Sequence, residues 1–171
     1  MTGKIKLFVD LDGTLAEWRA AAGYEELFRE GYFATLETHA SVVEAFKMLC
    51  ESGAVEPYIL SAYLTESKYA LREKNLWVSQ HVPFVDSEHR LFVPQGIPKP
   101  DYVAALLGNI DSRCVLLDDY SRNLHEWCGA GGIGIKLLNG SNGTVGTWKG
   151  PTISRFEHAE TVYQKILDIL Q

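Results

Sequence analysis

The sequence predicts an α/β protein built on a parallel β-sheet. Short apolar segments rich in β-branched residues alternate along the chain with longer segments of helical periodicity. This is the pattern of buried strands joined by crossover helices. Several of the apolar segments end directly in acidic or hydroxyl side chains. Because ligands bind beyond the carboxyl ends of the strands in such sheets, these polar residues are expected to share one site.

The first apolar segment, residues 5–9, ends in Asp10-Leu11-Asp12-Gly13-Thr14. Residues two apart in an extended strand share a face, and two close carboxylates repel unless a cation or a shared proton intervenes. Mg²⁺, which proteins hold with carboxylates, water and substrate phosphate, would offset that repulsion. A calcium EF-hand loop is excluded, because glycine is fourth here and Ala21 takes the twelfth position. A solvated turn after an edge strand is the other interpretation of this stretch.

The composition predicts a single domain spanning residues 1–171. The chain is 46% hydrophobic and carries a formal charge of -6 without a basic stretch, which argues against polymer nucleic acid as a partner. No signal-peptide pattern opens the sequence, no apolar stretch approaches the length of a membrane span, and the three cysteines lack zinc-ligand spacing. These features predict a soluble protein of a reducing cytoplasm.

Residues 16–38 are predicted to form a small insertion after the first strand. Aromatic and charged residues alternate there, and the spacing of Tyr24, Leu27 and Phe28 predicts an amphipathic helix between residues 16 and 33. An insertion over the carboxyl edge of a sheet can act as a lid that excludes water and contacts a substrate.

The remaining segments follow the same alternation. Residues 139–143 are typical of a turn rather than of a phosphate-binding loop, because they lack the Walker glycine spacing and lysine. The pattern predicts helices over 40–52, 65–81, 102–107, 121–129 and 156–170, strands over 55–60, 114–117 and 132–138, and short strand-like pieces at 84–85 and 91–93.

Polar residues follow two of these later strands. Ser61 ends the second strand, where a hydroxyl beside free amides can donate to a phosphate oxygen. Asp118 and Asp119 end the strand over 114–117. Between them lies Lys99, on a proline-stiffened loop ahead of a helix, where it is a suitable point charge for a phosphoryl group.

The order of these elements resembles the four motifs of the haloacid dehalogenase (HAD) superfamily of phosphohydrolases. The resemblance implies a Rossmann-like three-layer fold with a parallel sheet and a small helical cap inserted after the first strand. Within the superfamily the chain is most similar to the 5′(3′)-deoxyribonucleotidase group. The residues that carry this nearer similarity are Trp18, Gly31-Tyr32-Phe33, Glu73-Lys74, Trp77-Val78 and the final Asp-Asp pair.

The resemblance implies a phosphatase in which Asp10 attacks phosphorus and forms an aspartyl-phosphate. Asp12 would protonate the leaving oxygen and later deprotonate the attacking water. Mg²⁺ would be held by Asp10, the backbone carbonyl of Asp12 and Asp118, with Asp119 as a further ligand or an orienting group.

The resemblance also implies phosphate contacts from Ser61 and a lysine. Lys99 fits the general superfamily pattern, whereas Lys74 fits the nucleotidase group, and the sequence leaves both open. Ala62, next to Ser61, is a further expected substrate contact.

The expected substrate is a small phosphomonoester, and the nucleotidase group favours a nucleoside monophosphate. Trp18, together with Tyr32 or Phe33, is the expected contact of the base. The insertion is shorter than the cap usual in that group, so a sugar phosphate or another small metabolite is the alternative substrate. A remoter alternative is the phospho-acceptor pocket of a signalling receiver domain, in which the adjacent acidic pair follows the first strand instead, the reverse of the order here.

Overall fold

The computed structural model describes residues 3–21, 23–141 and 146–171. Six strands lie in this part of the chain: β1 (Ile5–Val9), β2 (Val55–Tyr63), β3 (Arg90–Pro94), β4 (Cys114–Asp118), β5 (Ile133–Leu138) and β6 (Thr152–Ser154). They form one sheet in the order β3-β2-β1-β4-β5-β6, and every neighbouring pair is parallel. The predicted α/β class with a parallel sheet is therefore confirmed.

Helices cover both faces of the sheet. They are α1 (Ala40–Glu51), α2 (Ala70–His81), α3 (Lys99–Leu107), α4 (Ser121–Gly129) and α5 (Ala159–Leu170). Side chains of α1, α2 and α5 pack on one face, against Leu7 and Val9 of β1. Side chains of α3 and α4 pack on the other face, against Phe8. Alternation along β1 thus gives each face its own core, and the result is three layers.

The two ends of the segment over residues 16–38 lie side by side. Ala16 pairs with Thr38 in an antiparallel bridge, and the Glu17 amide donates to the Glu37 carbonyl at 2.7 Å. The amphipathic helix predicted over residues 16–33 is present only as a five-residue 3-10 helix, Tyr24–Phe28, which buries none of its side chains. We call residues 16–21 and 23–38 the cap segment; Ala22 lies outside the described residues.

Three further predictions differ from the structure. Lys99 begins α3 instead of lying in a loop, because Pro100 has a fixed φ that suits the first turn of a helix. Residues 84–85 lie in a turn. The three-residue β6 was not predicted, since so short an edge strand leaves no periodic pattern. Of the turn predicted over 139–143, residues 142–143 lie outside the described residues.

Among the described residues, no helix combines the length and the apolar character that crossing a membrane requires.

Trp77 ties α2 to the cap segment. Its side chain is 1% exposed, and Nε1 donates to the Leu36 carbonyl at 2.8 Å. Replacing Trp77 with Phe leaves that buried carbonyl without its donor, so we expect the free energy of unfolding to fall by about 1–3 kcal/mol in urea denaturation. Leu76→Ala is the matched control on the same helix, because Leu76 is 45% exposed, and it should stay within about 0.5 kcal/mol of wild type. Equal losses in the two variants would contradict this role of Trp77.

Candidate active site

The sheet register brings three strand ends together. Val9 pairs with Ile59 of β2 and with Leu117 of β4, so the residues that follow these three positions lie side by side at the carboxyl edge. The Asp10 amide donates to the Leu117 carbonyl at 3.0 Å, which places Asp10 directly beside Asp118. The polar residues that the sequence assigns to separate strands therefore meet at one edge of the sheet.

An acidic cluster lies at the centre of this edge. One carboxylate oxygen each from Asp10, Asp118 and Asp119 lie within 4.8 Å of one another. The ammonium of Lys99, 3% exposed, bridges two of these side chains, at 2.9 Å from Asp10 Oδ1 and 2.6 Å from Asp118 Oδ2. We call Asp10, Asp118 and Asp119 the acidic cluster.

Burial and mutual repulsion shift the pKa values in the cluster. Burial raises the pKa of Asp10 to about 7 against the opposing charge of Lys99, and the charge of Asp118 adds to the rise. Burial, with the charges of Asp118 and Asp10, raises the pKa of Asp119 to about 8. Burial disfavours the charged form of Lys99, but the two carboxylates outweigh it and hold its pKa above the usual value. One ammonium thus compensates the cluster only in part, and three converging carboxylates suit a hard divalent cation such as Mg²⁺.

The carboxylate of Asp118 is held in a fixed orientation. Its Oδ1 accepts a hydrogen bond from the Tyr120 amide at 2.8 Å, and its Oδ2 accepts one from Asn123 Nδ2 at 2.9 Å as well as from Lys99. Asn123 was missed by sequence reasoning, because its position within α4 carries no distinguishing pattern.

Asp119 is held by the ends of two other strands. Thr14 Oγ1 donates to Oδ1 of Asp119 at 3.2 Å, and Asn139 Nδ2 donates to Oδ2 at 3.1 Å and to the Gly13 carbonyl at 2.8 Å. Gly13 has φ +81°, and a Cβ there would lie 2.4 Å from Asp119 Oδ2, so this position requires glycine. The sequence predicts a turn at Asn139, although this residue directly follows β5, as Asp10 directly follows β1.

The buried Lys136 of β5 supports the same loop. Its Nζ donates to the Asp119 carbonyl at 2.7 Å and to Ser121 Oγ at 2.8 Å. Burial lowers the pKa of Lys136, although the charges of Asp119 and Asp118 oppose this. Sequence reasoning also missed this residue, since a lysine within an apolar strand carries no motif.

A second group of polar side chains lies beside the acidic cluster. Lys74 of α2 reaches the end of β2, where its Nζ pairs with Asp12 Oδ2 and donates to Ser61 Oγ at 3.2 Å and to the Ala62 carbonyl at 2.7 Å. The Asp12 carboxylate is therefore separate from the acidic cluster, and a backbone metal contact from Asp12 stays a prediction. Both lysines that the sequence left open are buried in the site, Lys99 against the acidic cluster and Lys74 against Asp12 and Ser61.

Two adjoining cavities at this edge of the sheet share Asp12 and Trp18 in their walls. The first, of about 390 Å³, lies over the acidic cluster and is lined by Asp10, Asp12, Trp18, Asp119, Tyr120, Asn139 and Ser141. The second, of about 240 Å³, lies under the cap segment and is lined by Asp12, Trp18, Tyr24, Leu27, Phe33, Ala62, Tyr63, Leu64, Lys74 and Gln95. We call them the acidic cavity and the apolar cavity.

Some of the predicted substrate contacts line a cavity, whereas Tyr32 packs within the cap segment. Trp18, Phe33 and Ala62 line the apolar cavity. Tyr32 is not among the described residues that line either cavity: its ring lies under the Arg19 guanidinium, 4.6 Å from the ring centroid, and its hydroxyl donates to the Arg19 carbonyl. Its position makes Tyr32 a packing residue of the cap segment.

Solved structures share this fold at low sequence identity. A HAD-superfamily hydrolase from Ehrlichia chaffeensis aligns with a TM-score of 0.62 at 12% identity over 100% of both chains. The D,D-heptose 1,7-bisphosphate phosphatase from B. bronchiseptica, complexed with magnesium and phosphate, aligns with a TM-score of 0.65 at 15% identity over 95% of this chain and 98% of that chain. The D,D-heptose 1,7-bisphosphate phosphatase from Burkholderia thailandensis aligns with a TM-score of 0.60 at 13% identity, again over 95% of this chain and 98% of that chain. The chain therefore has the fold of HAD-superfamily hydrolases.

No protein-family model matches the chain, and no curated protein sequence matches it.

The raised pKa values predict how the stability of the metal-free protein depends on pH. Asp10 and Asp119 have pKa values of about 7 and about 8 in the folded state against 3.8 when unperturbed, so near neutral pH the folded state binds more protons than the unfolded state. The free energy of unfolding should then fall as pH rises from about 6.5 to about 8. Burial lowers the pKa of His39, so its opposite contribution, a rise in stability with pH, is confined to pH below about 6.5.

Urea unfolding in EDTA at the two pH values measures this change. Asp10→Asn should make the dependence shallower, because one of the two raised carboxyl groups is then removed, and adding Mg²⁺ should restore stability at the higher pH. Stability that is constant or that increases over this interval would contradict the charge balance described for the cluster.

Proposed function

We propose that the protein is a Mg²⁺-dependent phosphomonoester hydrolase that forms an aspartyl-phosphate on Asp10. The observation that carries the proposal is the convergence of the acidic cluster with Lys99 and of Asp12 with Lys74 at one sheet edge. A phosphate ester needs a nucleophile, a proton donor for the leaving oxygen and positive charge around the phosphoryl oxygens, and these groups supply all three.

The reaction proceeds in two displacements at phosphorus. In the first, a carboxylate oxygen of Asp10 bonds to phosphorus while the ester P–O bond breaks, and Asp12 gives its proton to the departing alcohol oxygen. In the second, a water oxygen bonds to phosphorus while Asp12 takes a proton from the water. The bond between phosphorus and Asp10 breaks, and inorganic phosphate leaves.

The residues around the two aspartates stabilise the transferred group. Lys99 lies against Asp10, and Lys74 joins Asp12 to Ser61, so positive charge flanks the nucleophile on one side and the acid–base residue on the other. Asp10, Asp118 and Asp119, with the Asp12 carbonyl, would hold Mg²⁺, which would supply further charge neutralisation for the phosphoryl oxygens.

The apolar cavity favours a nucleoside monophosphate as the substrate. Trp18 and Phe33 line this cavity beside Asp12, where the leaving group of a bound phosphomonoester would lie, and their rings can stack on a base. The D,D-heptose 1,7-bisphosphate phosphatases that share the fold make sugar phosphates the alternative. Apolar and aromatic walls disfavour a polyhydroxylated sugar, because its hydroxyl groups would lose hydrogen bonds to water. The cytoplasmic location expected from the cysteine content belongs to the same proposal.

Phosphate release from a panel of nucleoside monophosphates, deoxynucleoside monophosphates and sugar phosphates tests the activity. We expect turnover of nucleotides that EDTA abolishes and Mg²⁺ restores. Asp10→Asn should lower kcat by about a thousandfold or more, because the nucleophile is lost. Asp111→Asn is the control, since Asp111 pairs with Arg113 at the opposite edge of the sheet and its side chain is 46% exposed. Full activity of Asp10→Asn would refute the mechanism, and turnover of sugar phosphates alone would refute the nucleotide assignment.

Trp18→Ala tests whether the apolar cavity binds the leaving group. Removing the indole should raise KM for nucleoside monophosphates by about tenfold and leave KM for acetyl phosphate unchanged, because acetyl phosphate carries no base on which the indole could stack. Phe156→Ala removes an aromatic side chain that is 70% exposed and lies outside both cavity walls, so it should change neither constant. An equal rise in KM for both substrates of Trp18→Ala would contradict stacking on a base.

A further inference from the structure

One buried carboxylate lies outside the acidic cluster. Glu73, in the first turn of α2, is 3% exposed and accepts three backbone hydrogen bonds from the cap segment. Gly31 N donates to Oε1 at 2.5 Å, and the Phe33 and Ala34 amides donate to Oε2 at 3.0 and 3.4 Å. The Glu73 carboxylate is thus buried against the backbone of the cap segment, whereas the sequence pattern would place a charged residue of this helix in solvent.

These amides are the compensation for a buried charge. Within residues 3–21, 23–141 and 146–171, no ion pair joins Glu73, so its carboxylate depends on backbone N–H groups. A buried carboxylate without compensation is strongly unfavourable, and hydrogen bonds to a charged acceptor are stronger than those between neutral groups. Gly31, at φ +86°, turns the backbone so that neighbouring amides point to one anion. The cap segment is therefore held at a defined place on α2.

The same helix turn also positions the site. Lys74, next to Glu73, pairs with Asp12, and its ammonium lies 4.7 Å from the centroid of the Phe33 ring. The amide of Phe33 is bound by Glu73, while the Phe33 side chain lines the apolar cavity. Glu73 therefore fixes the distance between one wall of that cavity and the lysine that contacts the acid–base residue.

We propose that Glu73 is a positioning residue that docks the cap segment onto α2 and thereby sets the affinity of the apolar cavity for the leaving group of the substrate. The inference rests on the proposed phosphomonoesterase activity for its consequence in kinetics. The docking itself does not depend on that activity.

Glu73→Gln and Glu73→Ala test the proposal in the full-length protein. In Glu73→Ala we expect KM for the best nucleoside monophosphate of the panel to rise about tenfold or more, with kcat within about threefold of wild type and KM for acetyl phosphate unchanged. Glu73→Gln keeps one carbonyl oxygen as an acceptor and should recover part of the affinity. Hydrogen exchange at the amides of Gly31, Phe33 and Ala34 should be faster by about tenfold in Glu73→Ala, because their acceptor is gone.

Arg72→Ala is the matched control. Arg72 lies in the same helix turn and pairs with Glu30 of the cap segment at 3.1 Å, but the two side chains are 70% and 67% exposed. A solvent-exposed pair of this kind contributes little, so this variant should leave KM and amide exchange unchanged.

The remaining outcomes separate this inference from the proposed function. If Glu73→Ala lowers turnover of nucleotides and acetyl phosphate equally, Glu73 is a general stability residue and the proposal is overturned. If wild type hydrolyses no phosphomonoester, the proposed function fails, and exchange at the three amides alone decides the docking: faster exchange supports it and unchanged exchange overturns it. If Glu73→Ala does not fold, Glu73→Gln carries both measurements, and wild-type values in that variant overturn the proposal.

Discussion

The site depends on the ion pairs that Lys99 makes with Asp10 and Asp118. Parallel pairing of β1 with β4 forces these two carboxylates into one buried place, and Asp119 follows at once along the chain. Carboxylates this close cannot all be ionised in a buried setting without positive charge beside them. Helix α3 begins at Lys99, so the ammonium is carried on a rigid element and not on a mobile loop. Because the ammonium has a fixed position, it favours ionisation of part of the acidic cluster, whose remaining negative charge can bind a further cation.

Asp10 and Asp12 separate because β1 ends at Val9. In a continuing strand both side chains would point to one face, which is the basis on which the sequence predicts a repelling pair. The turn after Val9 instead directs Asp10 to Lys99 and Asp12 to Lys74. Each aspartate thus has its own cationic partner, and this separation suits the proposed division into a nucleophile and an acid–base residue. Gly13 makes this turn possible, since its φ is +81° and a side chain there would collide with Asp119.

The strands that position the site could be predicted from sequence because each is a compact apolar run with a polar residue at its end. This rule singles out Asp10, Ser61 and Asp118, although β2 continues past Ser61 to Tyr63, and applied to β5 it would also single out Asn139. The burial of Glu73 and Lys136 could not be predicted, because a charge in a helix or a strand gives no sign of burial until the fold places a partner beside it. Tyr32 packs against Arg19 within the insertion, and its contact with a substrate base stays a prediction, since an aromatic residue in an insertion can serve either purpose. Periodicity reports which face of an element is apolar, but not what docks on it.

The two cavities divide recognition between the sheet and the cap segment. The acidic cavity takes most of its wall from residues that follow the strands, and Trp18 from the cap segment. Because β-pairing sets the positions of the strand ends, the proposed phosphoryl contacts do not depend on which ester carries the group. Four residues of the cap segment line the apolar cavity, so its shape depends on how that segment is docked: Trp18, Tyr24, Leu27 and Phe33. Glu73 and Trp77 of α2 hydrogen-bond to the backbone of that segment, and its side chains Tyr32, Phe33 and Leu36 are buried in the core. Under the proposed function, changes in the cap segment would therefore alter the preferred leaving group without moving the residues proposed to bind the phosphoryl group.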